Sequence, residues 1–166
     1  MAWENLRRIA FTMTHVWDSD KAEDIIAAHE GLEGPMLPIL HGMQEAFGYI
    51  PEAVVRLIAA RLNLSRAEVY GVVSFYHDFR REPAGRHVLK LCRAEACQSV
   101  GSEANAATLL RRLGLGWGGT TPDGRLTVEA VYCLGLCACG PSALLDGEPH
   151  GRLDAAALEA LAAEAV

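Results

Sequence analysis

The sequence predicts a two-part α+β chain in which a bundle of helices precedes a small domain mixing strands and helices. Three observations carry this expectation. Through the first half, apolar residues recur at helical spacing behind recognisable helix starts. Two β-like apolar runs, HVLKL at residues 87–91 and RLTVEAVY at 125–132, belong to the second half, and each leads into a cluster of cysteines. Between the halves, REPAG with Pro83 and Gly85 interrupts both patterns. The expected boundaries are a helical segment of three to four helices over 1–82, a linker at 83–86 and the second domain over 87–166.

Taken in order, residues 1–15 carry an uneven helical pattern with Trp3, Leu6, Ile9 and Phe11. Asp18 and Asp20 offer a helix start before KAEDIIAAHE, and Trp3 and Trp17 read equally as packing anchors or contact residues. Pro35 opens PMLPILHGMQEAFG, where Leu37, Leu40, Met43 and Phe47 line one side and Gly48 permits a sharp exit. Pro51 begins PEAVVRLIAARL, with Val54, Val55, Ile58 and Leu62 at helical spacing. Ser65 and Glu68 have the capping-box spacing, which predicts a helix continuing through VYGVVSFYHDF. On that helix Phe75, Tyr76 and Phe79, beside His77 and Asp78, are candidate partner-facing aromatics, with internal packing as the competing role. His41 and His77 have no nucleophile or metal-ligand partner at local spacing.

In the second half HVLKLC reads as a strand, and residues 102–113 as a helix with Ala104, Ala107, Leu110 and Leu113 on its repeat. The glycine-rich segment GLGWGGTTPDG lacks both the dinucleotide fingerprint and a phosphate-loop ending, which argues against NAD binding by this chain. TPDG predicts a turn into RLTVEAVY, SALLDGEPHG a short β pair, and a last helix is expected from about Asp154.

The five cysteines form two knots: Cys92 and Cys97, then Cys133, Cys137 and Cys139. Each knot follows a β-like run, so each is expected in a loop at a strand end. Cys92-x4-Cys97 and Cys133-x3-Cys137 could then present four sulfurs to one centre. Four thiolates suit a tetrahedral zinc or an iron–sulfur cluster. Neither pair has the tight two-residue gap that structural zinc favours, whereas a [2Fe-2S] centre takes two ligands on each iron and accepts wider pairs more comfortably. A structural zinc module, a disulfide and a thiol oxidoreductase remain the alternatives, although no Cys-x2-Cys redox pair is present.

The helical amino-terminal segment, the strand ending in Cys-x4-Cys and the downstream Cys-Leu-Gly-x-Cys together resemble the thioredoxin-like [2Fe-2S] subunit family of NADH-oxidising complexes. That family includes the 24 kDa-type subunit of complex I and related subunits of NAD-linked hydrogenases. The stretch CRAEACQS is most similar to the gamma subunit of soluble NAD-dependent formate dehydrogenases. The resemblance implies a thioredoxin-like [2Fe-2S] ferredoxin domain after the helical bundle. It implies Cys92, Cys97, Cys133 and Cys137 as cofactor and metal ligands, with Cys139 outside the set. It also implies a non-catalytic electron-transfer role beside an FMN- and NAD-binding subunit in a hetero-oligomeric complex. Formate oxidation, further iron–sulfur clusters and a molybdenum or tungsten cofactor would belong to partner subunits, including a catalytic formate dehydrogenase subunit. A cluster of this type carries about −2 charge oxidised and −3 reduced. Amides near Gly135, Gly140 and the Cys92–Cys97 loop are expected to offset that charge. Lys90 and Arg93 would add positive potential by turning inward, and Glu95 would oppose reduction.

At 166 residues the chain has room for one substantial domain with a helical appendage, which suits a subunit of something larger. Its net charge of −6 with scattered basic residues argues against nucleic-acid binding. An odd cysteine count and an opening segment without a continuous apolar core point to a cytoplasmic protein, and no apolar run approaches the roughly 20 residues of a membrane span.

Overall fold

Helices begin where the sequence supplies caps. In the computed structural model, which describes residues 17–165, Asp18 Oδ1 accepts the amides of Asp20 and Lys21 at 3.0 and 3.1 Å and opens α1, Ser19–His29. Pro35 and Pro51 stand immediately before α2, Met36–Phe47, and α3, Glu52–Arg61. A proline is tolerated there because first-turn amides have no intrahelical acceptor. Gly48 closes α2 in the left-handed region, φ 77°. Ser65 and Glu68 form the reciprocal cap at the start of α4, Arg66–Phe75: the Glu68 amide donates to Ser65 Oγ, and the Ser65 amide to Glu68 Oε2 at 2.8 Å. The pattern over residues 1–15, including Trp3, lies outside the described residues.

α4 ends at Phe75, short of the expected continuation through Phe79. Tyr76 is extended, and the Phe79 amide bonds back to the Tyr76 carbonyl at 3.0 Å, a turn that carries the Phe79 ring into the core at 6% exposure. Burying such a ring is worth about 1.5–3 kcal/mol, more than the marginal gain from one further helical turn. Ile26, Ile39, Leu40, Met43, Phe47, Val54, Ile58 and Val69 complete this core, and half-buried Trp17 packs on Phe47 with ring centroids 5.4 Å apart.

The chain divides between Pro83 and Ala84 into two compact units. The Gly85 amide donates to Thr127 Oγ1 at 2.7 Å and the Arg86 amide to the Gly124 carbonyl at 3.1 Å, so the second unit secures the chain soon after the division.

The second unit is a four-stranded mixed sheet in the order β2-β1-β3-β4. β1, His87–Cys92, pairs parallel with β2, Leu126–Val131, and antiparallel with β3, Ala143–Leu145. β4, Glu148–His150, closes the hairpin that SALLDGEPHG predicts. Parallel neighbours need a crossover, and α5, Glu95–Ser99, with α6, Ser102–Leu113, supplies it. Leu89, Leu91, Leu126, Val128 and Ala143 pack with Leu109 and Leu110 of α6 and Leu158 and Leu161 of α7, Ala155–Glu164. α6 buries only part of the expected stripe: Leu110 and Leu113 pack on the core as expected, joined by Ala106 and Leu109, while Ala104 and Ala107 are exposed. Adjacent leucines remove more apolar area from water than the alanines, and they fix the helix's rotation. Among the described residues no helix is long and apolar enough to cross a membrane.

Candidate metal centre

Because β1 and β2 run parallel and in register, their carboxyl ends lie side by side, with Cys92 opposite Val131. Cys92 is the last residue of β1, and Cys133 follows soon after the end of β2. The sheet alone therefore delivers the two cysteine knots to one place.

The first knot is more ordered than the loop the sequence suggests. The Ala94 carbonyl accepts the amides of Cys97 and Gln98, each at 3.0 Å, which starts the short helix α5 and turns Cys97 inward. Cys92 is 3% and Cys97 1% exposed. Cys97 Sγ lies 3.5 Å from Ser142 Oγ, and a Cβ on Gly140 would stand 3.4 Å from that sulfur and 3.3 Å from Val100 Cγ2. Glycine at 140 keeps the returning chain close to the buried thiol.

The second knot is a loop. Cys133 and Gly135 both have left-handed backbone, φ 69° and 77°, and a 3-10 turn at Cys137–Cys139 follows. Cys133 and Cys137 are exposed, with their sulfurs 3.8 Å apart. Cys139 faces elsewhere: its carbonyl accepts the Arg152 amide at 2.6 Å and its Cβ abuts Gly151. All five cysteines are free thiols.

Cys92 and Cys137 each feel their neighbouring thiols. Burial, the largest influence on Cys92, opposes its ionisation. The amides of Ala94, Cys133 and Leu134 and the Cys97 thiol, which hydrogen-bond its sulfur, outweigh burial and hold it below its ordinary value. Cys137 is raised, first by its hydrogen bond with Cys133 and by charge on that thiol, then by burial and by charge on Cys97 and Cys92. The structure thus brings Cys92, Cys97, Cys133 and Cys137 together as two pairs, one buried and one exposed.

The surrounding residues show where the other expected groups lie. The amides that reach Cys92 are those of Ala94, in the Cys92–Cys97 loop, and of Cys133 and Leu134, beside Gly135, both regions the sequence points to. Lys90 pairs with Glu129 at 3.8 Å across the strands, Arg93 forms a two-pronged ion pair with Glu103, and Glu95 is exposed on the first turn of α5. Of the aromatics on and after α4, Phe75 and Tyr76 are exposed at 73% and 43%, whereas Phe79 is a core residue. The His41 ring rests on Phe79, centroids 5.1 Å apart, and His77 is exposed. Ser142, Glu103, Trp117 and Tyr132 carry no signal in the sequence because each meets the site from a different element.

The donor chemistry fits an all-sulfur centre. Two pairs suit a binuclear centre, which takes two ligands on each metal.

Comparison with known proteins agrees with this arrangement. The family model of thioredoxin-like [2Fe-2S] ferredoxins matches residues 22–165. The E 2 component of NADH-quinone oxidoreductase from Rhizobium meliloti (strain 1021) is 37% identical over 142 residues, covering 86% of this chain and 84% of that protein. The HndA component of the NADP-reducing hydrogenase of Solidesulfovibrio fructosivorans is 32% identical over 132 residues, covering 80% and 77%. Among solved structures, an NAD+-reducing [NiFe]-hydrogenase in the H2-reduced state aligns over 78% of this chain with a TM-score of 0.64 and 28% identity, and the match spans 22% of that chain.

Proposed function

The chain belongs to the thioredoxin-like [2Fe-2S] ferredoxin family, and from that premise we propose that it is a non-catalytic electron-transfer subunit of an NADH-oxidising complex, with Cys92, Cys97, Cys133 and Cys137 as the cluster ligands. The observation that carries this reading is the juxtaposition of a buried and an exposed cysteine pair at the shared end of two parallel strands. When bound, a [2Fe-2S] cluster takes up and returns one electron. Cys92 and Cys97 hold the buried side, where amides of Ala94, Cys133 and Leu134 stabilise sulfur in its anionic form. Cys133 and Cys137 hold the exposed side, and Tyr132, 69% exposed, stands next to Cys133 in the chain.

Similarity to components of an NADH-quinone oxidoreductase and of NAD(P)-reducing hydrogenases supports a flavin- and NAD-binding partner in a hetero-oligomer. The finer assignment, a cytoplasmic NAD-dependent formate dehydrogenase, is supported by the likeness of CRAEACQS to that enzyme's gamma subunit. Complex I and an NAD-linked hydrogenase are the alternative hosts.

Anaerobic isolation without metal reconstitution, followed by iron and acid-labile sulfide analysis and electron paramagnetic resonance, tests the centre. About two irons and two sulfides per chain, with a signal that appears on reduction, are expected. One zinc without labile sulfide would overturn the reading in favour of a structural zinc module. Reconstitution with the native partners tests the host: formate-dependent NAD reduction identifies the dehydrogenase, whereas activity only with quinone or hydrogen assigns the chain to another complex.

A further inference from the structure

We propose that Arg93 and Glu103 form an opposed charge pair, fixed against both cysteine loops, that sets the reduction potential of the centre. The inference rests on the ligand assignment above and concerns two residues outside it.

Arg93 immediately follows Cys92, and its amide donates to the Val131 carbonyl at 2.8 Å, so its backbone joins the ends of both cysteine-bearing strands. Gln98 Nε2 donates to the Arg93 carbonyl at 2.6 Å, which ties the same residue to α5. The side chain is equally constrained. Nε and an Nη donate to the two carboxylate oxygens of Glu103 at 3.0 and 2.9 Å, and the guanidinium stacks over the Trp117 ring, 4.7 Å from its centroid. The Tyr132 side chain, next to Cys133 in the chain, lies near the same guanidinium and with Glu103 favours its charged form.

A guanidinium gripped by both oxygens of one carboxylate and stacked on an indole is more constrained than a surface salt bridge needs. A planar fork bound to carboxylate and stacked on indole is an arrangement that arginine makes and lysine does not. Its position gives the pair a role. A centre that gains negative charge on reduction is favoured in its reduced form by a nearby cation and disfavoured by a nearby anion. Arg93 supplies the cation beside Cys92, and Glu103, on the first turn of α6, attenuates it. The two residues must therefore act on the potential with opposite signs.

The test is a redox titration, read by electron paramagnetic resonance, of the full chain carrying Arg93→Gln, Glu103→Gln, both changes, or Arg93→Lys. Arg93→Gln removes the cation and leaves the anion, which lowers the potential. Glu103→Gln leaves the cation unopposed and raises it. Each shift is expected to be about threefold in the one-electron equilibrium, roughly 30 mV at 59 mV per tenfold. The double variant returns towards wild type. Arg93→Lys recovers part of the potential while losing the fork. Shifts of the same sign in the two single variants would show general loosening of the site and overturn the proposal, as would unchanged potentials in both. Glu103 is half-exposed on a helix surface, so its variant keeps the test available if replacing Arg93 unfolds the chain. A wild-type chain that holds no reducible centre would refute the ligand assignment itself, and this proposal with it.

Discussion

The two cysteine pairs are built differently although they serve one site. Cys92 and Cys97 belong to the packed interior: one ends a central strand, the other sits on a helical turn, and both are nearly inaccessible. Cys133 and Cys137 lie on an exposed loop whose course depends on left-handed backbone at Cys133 and Gly135. The difference assigns labour. The buried pair is positioned by the fold itself, whereas on the proposed ligand assignment the exposed pair would close the centre from the loop side.

Cysteine-to-serine substitutions should break this comparison most visibly. Cys97→Ser should abolish cluster retention, because core packing on Ser142 and Gly140 leaves its neighbours no freedom to adapt. Cys137→Ser should retain part of the iron with an altered paramagnetic signal, because an exposed loop can move to offer oxygen in place of sulfur. Cys139→Ser should leave both unchanged. Iron content and spectra of proteins isolated in parallel decide the ranking, and equal losses in Cys97→Ser and Cys137→Ser would erase the proposed division between the pairs.

A subtler perturbation acts from behind the buried pair. Gly140→Ala places a methyl group 3.4 Å from Cys97 Sγ and 3.3 Å from Val100 Cγ2. Cluster loss in air should quicken by about tenfold, the scale on which groups supporting metal ligands act. Bleaching followed at the visible absorption bands measures it.

The smallest effect is expected far from the site. Ser65→Ala removes the cap of α4 and should cost about 1 kcal/mol in urea unfolding, with cluster content unchanged. Hydrogen bonds from the Ser65 backbone and side chain hold the Glu68 carboxyl below the ordinary glutamate value of 4.5. A depressed carboxyl stabilises the folded state above its unfolded value and loses that contribution as pH falls through the folded one. The gap between wild type and Ser65→Ala should therefore narrow below pH 4.5 and be flat above it.

What the sequence disclosed follows the range of the interactions involved. Asp18, Pro35, Gly48 and the Ser65–Glu68 box act within one turn of themselves, and each helix begins or ends where they predict. The end of α4 and the exact rotation of α6 depend on distant packing, of Phe79 in one unit and of Leu109 with Leu110 in the other; local periodicity misplaced the first and found only Leu110 and Leu113 of the second. Strand order was likewise illegible, since HVLKL and RLTVEAVY do not state that they are parallel neighbours. At the site the cysteines announced themselves by type and spacing. Their surroundings did not: Ser142, Glu103, Trp117 and Tyr132 are ordinary residues in sequence and acquire meaning from the elements that bring them to Cys97 and Arg93.

The parallel pairing of β1 with β2 also imposes an order of events during synthesis. The second pair follows the first by 40 residues, from Cys97 to Cys137. At 5–20 residues per second, translation separates their emergence by about 2–8 s. Throughout that interval a nascent chain offers Cys92, at the end of β1, and Cys97, on α5, while β1 has no parallel neighbour. On the proposed ligand assignment, all four sulfurs come together only once the crossover has formed and the second strand has docked.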